Sequence, residues 1–388
     1  MDEANNRNHV VENKESSQFS NGARIPWWQP QVENEDLEFV KGAFERNYVN
    51  EGVLASEFEK KIAELVGARY AVATTSGTVS IFLVLKALGV GSGDEVIVPD
   101  ATFIATANAA ELCGARPVFV DINERDLNIS TEAFERAITS KTKAVVPVHV
   151  TGRACDMETI LDIARKNKIF VVEDAAEALG SKYKGKFLGT WGDAGCFSFS
   201  ANKTISTAQG GMIVTNNGAL ASKIRALKDQ GRTIKGTGGD DLHSSVGYNF
   251  KYTDIQAALG LGQLTHFERR AARMKRNYKM YSDNLKNIKD VRVFPSNPEE
   301  LPQWTDIICP RRDELAEHLK KQNIDCRKYW HPIHKQSAYP QPDDKFPVST
   351  RVLPKSLWLP SAFTLTDEDV NFVSNEIKSF FAPKIKSI

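Results

Sequence analysis

The sequence predicts an α/β fold: a mainly parallel central sheet with helices on both faces, followed by a smaller α+β domain. Three observations carry that expectation. From Tyr70 onward, short apolar runs alternate with helical stretches at the spacing of βα units. The chain has 388 residues, enough for one large domain and one smaller one. After Leu285 the pattern changes to short strands around separate helices. No internal repeat is visible.

Two amphipathic helices come first, at 36–46 and 57–66. The βα units follow: strand 70–73 with helix 78–88, strand 95–98 with helix 103–112, strand 117–120, strand 144–148 with helix 157–166, and strand 169–172. Runs at 197–199 and 212–215 would add strands at the far side of the sheet. Helix 219–228 leads into a Gly-rich loop, 231–239, and a long helical region, 254–285, should break near Thr265. Strands 291–294, 305–309 and 325–329 with helices 312–322 and 368–380 build the smaller domain. The expected division is a flexible polar tail over 1–24, a large domain over 25–265 and a small domain over 266–388.

Composition excludes several classes. The net charge is +1 and apolar residues make up 41%, so neither a nucleic-acid partner nor an acidic membrane surface is expected. No apolar run approaches the roughly 20 residues of a membrane helix, and the N-terminus lacks the apolar core of a secretory signal. The cysteines, at 113, 155, 196, 309 and 326, are scattered without a Cys-x-x-Cys pair. That pattern argues against a disulfide framework or zinc site and fits a reducing, cytoplasmic setting with no metal.

The chemistry concentrates at three strand ends. The run at 169–172 ends in Glu173-Asp174-Ala175-Ala176-Glu177. Lys203 follows the 197–199 run, and Gly210-Gly211 come shortly after it. A lysine amine and a carboxylate able to face a pyridinium nitrogen are what pyridoxal 5'-phosphate (PLP) requires. The glycines would let backbone approach a flat ring. At the third strand end, Thr74-Thr75-Ser76-Gly77-Thr78 opens a helix whose first N–H groups suit a phosphate. Taken alone, this motif reads as an ordinary Ser/Thr cap. With Asp174 and Lys203 beside it, the phosphate site is the better account. Phe103 follows another strand end and suits either ring stacking or core packing. Asn249 suits a ligand contact or a turn.

Other motifs carry less. Gly89-Val90-Gly91-Ser92-Gly93 follows a helix and reads as a helix end rather than a dinucleotide loop. Ser200-Ala201-Asn202-Lys203 lacks the Lys-Thr-Gly that its penicillin-binding counterpart would need. His331-Pro332-Ile333-His334 has no acidic or cysteine partner at usable spacing for a metal.

Together these residues resemble the DegT/DnrJ/EryC1/StrS family, sugar aminotransferases of PLP fold type I. The resemblance runs from about Ile25 to Phe380. It rests on Thr75-Ser76-Gly77-Thr78, the segment 93–99, the segment 147–152, Glu173-Asp174-Ala175-Ala176, Lys203 with Gly210-Gly211, and Gly247-Tyr248-Asn249. The subgroup that makes 4-amino sugars, including perosamine synthases, shares the 173–180 segment and the Asn-Lys-Thr-Ile loop at 202–205. The resemblance implies a PLP-dependent transfer of an amino group from L-glutamate to a nucleotide-linked keto-sugar, at C4 of a 4-keto-6-deoxyhexose, with pyridoxamine 5'-phosphate as the aminated cofactor. It implies that Lys203 holds the cofactor as a Schiff base and moves the proton. Asp174 keeps the pyridine nitrogen protonated, and Phe103 stacks on the ring. By the same resemblance Ser76, Gly77, Thr78 and Ser198 would bind the phosphate, and Asn249 would reach over from the other subunit of a homodimer with shared sites. Glu177 stands near the ring hydroxyl where many members have Gln or His, and Asp254 stands where relatives often have Asn.

Cations and flat side chains for the sugar nucleotide are sought in the regions that border it by resemblance: Arg232, Lys235, Arg327, Tyr329, Trp330, His331 and His334. Each reads equally as a solvated or interface residue. Dehydratases on this fold replace the lysine with histidine, so Lys203 argues against that activity. Intact Asp174 and Lys203 argue against a non-catalytic relative that only keeps the fold.

Overall fold

A computed structural model describes residues 24–232 and 241–383. Helices α1 (Asn34–Glu45) and α2 (Val53–Val66) precede the sheet. The sheet region contains β1 (Tyr70–Thr74), α3 (Gly77–Ala87), β2 (Glu95–Pro99), α4 (Ala105–Leu112), β3 (Arg116–Val120), α5 (Thr131–Ala137), β4 (Thr142–Val145), α6 (Met157–Asn167) and β5 (Phe170–Asp174). A hairpin of β6 (Lys182–Tyr183) and β7 (Lys186–Phe187) comes next, then β8 (Ala194–Ser198), β9 (Gly211–Thr215) and α7 (Gly218–Lys228). The long helical region does break at its expected place, into α8 (Asp254–Thr265) and α9 (Phe267–Leu285). The C-terminal part carries β10 (Arg292–Val293), β11 (Asp306–Ile308), α10 (Arg312–Lys321), β12 (Arg327–Lys328), α11 (Pro347–Val352), β13 (Ser356–Trp358) and α12 (Asp367–Phe381).

The central sheet has the order β1-β9-β8-β5-β4-β2-β3. Pairs β2–β3, β2–β4, β4–β5 and β5–β8 are parallel, whereas β9 runs antiparallel to both its neighbours. The 197–199 and 212–215 runs therefore do not extend a far edge. They lie inside the sheet, and β1 forms the edge beyond them. Apolar periodicity identifies strands but carries no information about neighbours. The small antiparallel sheet has the order β10-β11-β13-β12. α5, the hairpin, α11 and β13 were not expected, because each is shorter than the window over which a period is readable.

Strand alternation places the core on both faces. In β2, Val96 and Val98 pack with α3 and α4, whereas Ile97 faces α6. In β9, Ile213 faces α3 and α7, whereas Met212 and Val214 pack against α2 and α8. A further cluster joins the strand ends to the C-terminal part: Ala101, Val148 and Val150 meet Trp304, Tyr329 and Trp358. It is fastened by a buried ion pair, with Arg153 donating to both Asp306 carboxylate oxygens at 2.8 and 2.9 Å. No helix among the described residues is long and apolar enough to cross a membrane.

Asp254 has a structural explanation. Its buried carboxylate accepts from the backbone N–H groups of Gly52 (2.8 Å), Leu54 (3.3 Å) and Ala55 (2.9 Å). Those are donors at the start of α2 that have no intrahelical acceptor. A carboxylate offers two acceptor oxygens and a negative charge to the positive end of that helix. Asp254→Ala is expected to lower the unfolding free energy by about 1–3 kcal/mol and Asp254→Asn by less, read from urea melts. Equal midpoints for all three proteins would refute this role.

Candidate active site

A cavity of about 430 Å³ opens beyond the carboxyl ends of the parallel strands, where open α/β sheets bind ligands. Each wall comes from a strand end. Ser76, Gly77 and Thr78 follow β1, and Thr102 and Phe103 follow β2. Asp174 and Glu177 come from the end of β5, and Ser198, Asn202 and Lys203 from the end of β8. Trp304, Arg327, Trp330 and Trp358 close the side facing the C-terminal part.

Asp174 is buried and held in place. The Thr106 hydroxyl donates to its Oδ2 at 2.7 Å, and the Ala176 N–H to its Oδ1 at 3.1 Å. Burial pushes its carboxyl above the usual aspartate range, opposed by those bonds and by the charge of Lys203. Lys203 Nζ lies 3.5 Å from Glu177 Oε1 and 4.9 Å from the centroid of the Trp304 ring. Glu177 accepts the Thr151 N–H at 2.8 Å. Burial raises its pKa as well, with Lys203 pulling it down.

At the start of α3, Ser76 does act as a cap, accepting from the Val79 N–H at 3.3 Å. Among the described residues, the Gly77 and Thr78 N–H groups have no acceptor. The cap thus leaves two N–H groups open to an anion. A Cβ at Gly77 would come within 3.1 Å of the Ser198 Cβ, so a side chain there would crowd the anion end of the cavity. Phe103 is 55% exposed and lines the same cavity. An anion site, a buried carboxylate, an amine and an open aromatic face around one cavity fit PLP.

The structure does not bring every sequence candidate here. Gly210 and Gly211 serve packing rather than a flat ligand. A Cβ at Gly211 would lie 2.4 Å from the Ser76 carbonyl, and one at Gly210 2.4 Å from the Thr207 hydroxyl. Among the proposed sugar contacts, Arg327 and Trp330 line the cavity, and Tyr329 and His334 do not. The Tyr329 hydroxyl is committed to Asp306 at 2.6 Å, and burial raises its pKa. His334 is buried against Phe346, with Nδ1 2.7 Å from Asp100 Oδ2. His331 is exposed outside the cavity. Arg232 pairs with Asp241 at 2.6 Å, away from the site. Lys235 lies outside the described residues. Asn249 is exposed and its backbone bridges to Asp229, so it does not reach this chain's own cavity. Sequence reasoning missed Thr106, Trp304 and Trp358. A hydroxyl pair at Thr102 and Thr106, one turn apart at a helix start, was the available signal for the first. Nothing local marked the tryptophans.

The fold and this site define a PLP-dependent aminotransferase. The DegT/DnrJ/EryC1/StrS aminotransferase family model matches residues 30–378, and the chain belongs to that family. It is 37% identical over 366 residues to a GDP-perosamine synthase of Escherichia coli O157:H7, covering 93% of this chain and 99% of that protein. It is 35% identical over 360 residues to a GDP-perosamine synthase of Caulobacter vibrioides, covering 90% of this chain and 96% of that one. Among solved structures, Spr1654 from Streptococcus pneumoniae in its PLP form superposes with a TM-score of 0.88 at 26% identity, over 92% of this chain and 98% of that one. The protein is a PLP-dependent sugar aminotransferase of amino-sugar biosynthesis.

Proposed function

We propose that the protein transfers an amino group from L-glutamate to C4 of a nucleotide-linked 4-keto-6-deoxyhexose. The observation that carries the reading is Lys203 Nζ beside Glu177 in a cavity that also holds Asp174 and the start of α3. The relatives named GDP-perosamine synthase favour guanosine diphosphate as the nucleotide.

When bound, PLP supplies an electrophilic carbon and an electron-withdrawing ring that carries the amino group between the two substrates. The residues do the rest. Gly77 and Thr78 N–H groups with Ser198 bind its phosphate. Asp174 would keep the ring nitrogen protonated, and Phe103 would cover one ring face. Lys203 Nζ takes the proton from the α-carbon of the amino donor and, in the second half, returns a proton to the sugar carbon that receives the amine. Glu177 faces the lysine and would stand near the ring hydroxyl. Arg327, 4.9 Å from the Trp27 ring centroid, offers a fixed cation at the cavity mouth for a diphosphate. Incubation with glutamate and a panel of GDP-, dTDP- and UDP-linked keto-sugars tests the reading. An acceptor mass changed by replacement of the ketone oxygen with an amine is expected for a GDP-linked 4-ketone. No aminated product from any acceptor would refute it.

We further propose a cytoplasmic homodimer in which Asn249 completes the partner's phosphate site. Mixing inactive Lys203→Ala with impaired Asn249→Ala subunits is expected to restore part of the activity, since one site then has both residues. Mixed dimers that form without recovery would contradict shared sites.

A further inference from the structure

We infer that Gln303 is a positioning residue for Lys203: its one side-chain amide, reaching in from the segment between β10 and β11, fixes the chain on both sides of the lysine. The inference rests on Lys203 being the amine that holds the cofactor.

Gln303 is 3% exposed, and both ends of its amide are engaged. Its Oε1 accepts from the Thr204 hydroxyl at 2.9 Å, and its Nε2 donates to the Asn202 carbonyl at 3.3 Å. The residues before and after Lys203 are thus tied to one rigid planar group. Independently of the side chain, the backbone of the same residue supports the carboxylate that faces the lysine. The Gln303 N–H donates to the Thr151 carbonyl at 3.0 Å. Thr151 is held at φ 53°, a left-handed conformation that β-branched residues rarely adopt. In that conformation its own N–H reaches Glu177 Oε2 at 2.8 Å, which leaves Oε1 3.5 Å from Lys203 Nζ. The turn is pinned from the same segment: a Cβ on Gly152 would lie 2.1 Å from the Leu301 carbonyl. Trp304, the next residue, lays its ring against the lysine. Glu177 and Asp174 are acidic groups that act electrostatically with Lys203, and the Gln303 side chain, through Asn202 and Thr204, sets where the lysine stands relative to them.

A buried glutamine that only filled space would leave the lysine unchanged when replaced by a side chain of similar volume. Gln303→Met and Thr204→Val, each in the full-length, cofactor-loaded protein, separate the two roles. The readouts are the peptide labelled after borohydride reduction, the pH midpoint of the absorbance change of the lysine–cofactor link, kcat and KM, and the melting temperature. Expected for Gln303→Met are a label still on Lys203, KM values within about threefold and kcat lower by roughly 10- to 100-fold, with the midpoint displaced by about half a pH unit or more. Thr204→Val should shift both quantities in the same direction by less. Unchanged kcat and midpoint in Gln303→Met would overturn the inference, as would a loss of kcat matched only by loss of folded protein. If Gln303→Met does not fold, Thr204→Val decides alone, because it removes a single hydrogen bond; an unchanged midpoint there overturns the inference. A borohydride label on a different lysine would instead remove the Lys203 assignment itself.

Discussion

Lys203→Ala is expected to lower turnover by at least roughly 10³-fold while the protein stays folded. The proposal gives this one amine two functions, covalent retention of PLP and proton transfer at the reacting carbon, and the variant would lose both. The backbone around it should survive, because it is held by groups other than the lysine. The Trp28 indole N–H donates to the Ala201 carbonyl at 3.0 Å, Arg270 donates to the Thr204 carbonyl at 3.3 Å, and Gln303 holds Asn202 and Thr204. Wild-type protein should be yellow, and borohydride should fix the cofactor's mass onto the peptide containing Lys203. Full turnover by the alanine variant, or a label elsewhere, would remove the lysine from its role.

Asp174→Asn is expected to reduce turnover by roughly 10²- to 10⁴-fold with the fold intact. Asparagine keeps an acceptor for Thr106 or Ala176 but brings no negative charge to the ring nitrogen, and an unprotonated pyridine is a poor electron sink. The stability effect has the opposite sign in the cofactor-free protein. Burial raises the Asp174 pKa above its value in the unfolded chain. Its ionisation therefore costs stability as pH rises past the ordinary aspartate range. Neutral asparagine avoids that cost, so the cofactor-free variant should melt no lower than wild type at pH 7. When PLP binds, the ring's positive charge compensates the carboxylate, and wild type should gain more from PLP than the variant does. Melting curves with and without PLP check both signs. Near wild-type turnover in Asp174→Asn would show that this carboxylate does not face the ring.

The parts of the site legible in the sequence are those governed by local rules. A strand end rich in hydroxyl residues before a helix, an apolar run ending in Asp174, and a lysine after another apolar run each show within a few residues. Physics places all three strand ends on one side of a parallel sheet. The family resemblance supplied the roles. What was not legible depends on contacts between distant segments. Trp304 and Trp358 reach the cavity from the C-terminal part, and no local pattern ties them to Lys203. His334 looked like a sugar contact because Asp100, its partner at 2.7 Å, lies 234 residues away in sequence. Tyr329 looked free for the same reason, because its hydroxyl belongs to the Arg153–Asp306 pair. Gly210 and Gly211 suggested room for a ring, whereas the crowding they relieve comes from Ser76, Thr207 and Tyr252. The position of β9 between β1 and β8 is likewise a property of pairing. The apolar run that forms β9 is compatible with an edge or an interior place.

The proposed acceptor is a sugar linked to a nucleotide rather than a free keto acid. The direct measurement starts from enzyme loaded with pyridoxamine 5'-phosphate and follows its conversion to the PLP form by absorbance, with one acceptor at a time. Fastest conversion is expected with a nucleotide-linked 4-keto-6-deoxyhexose, the GDP-linked compound leading, and slow conversion with simple keto acids other than 2-oxoglutarate. Faster conversion by such keto acids than by every keto-sugar nucleotide would contradict the proposal.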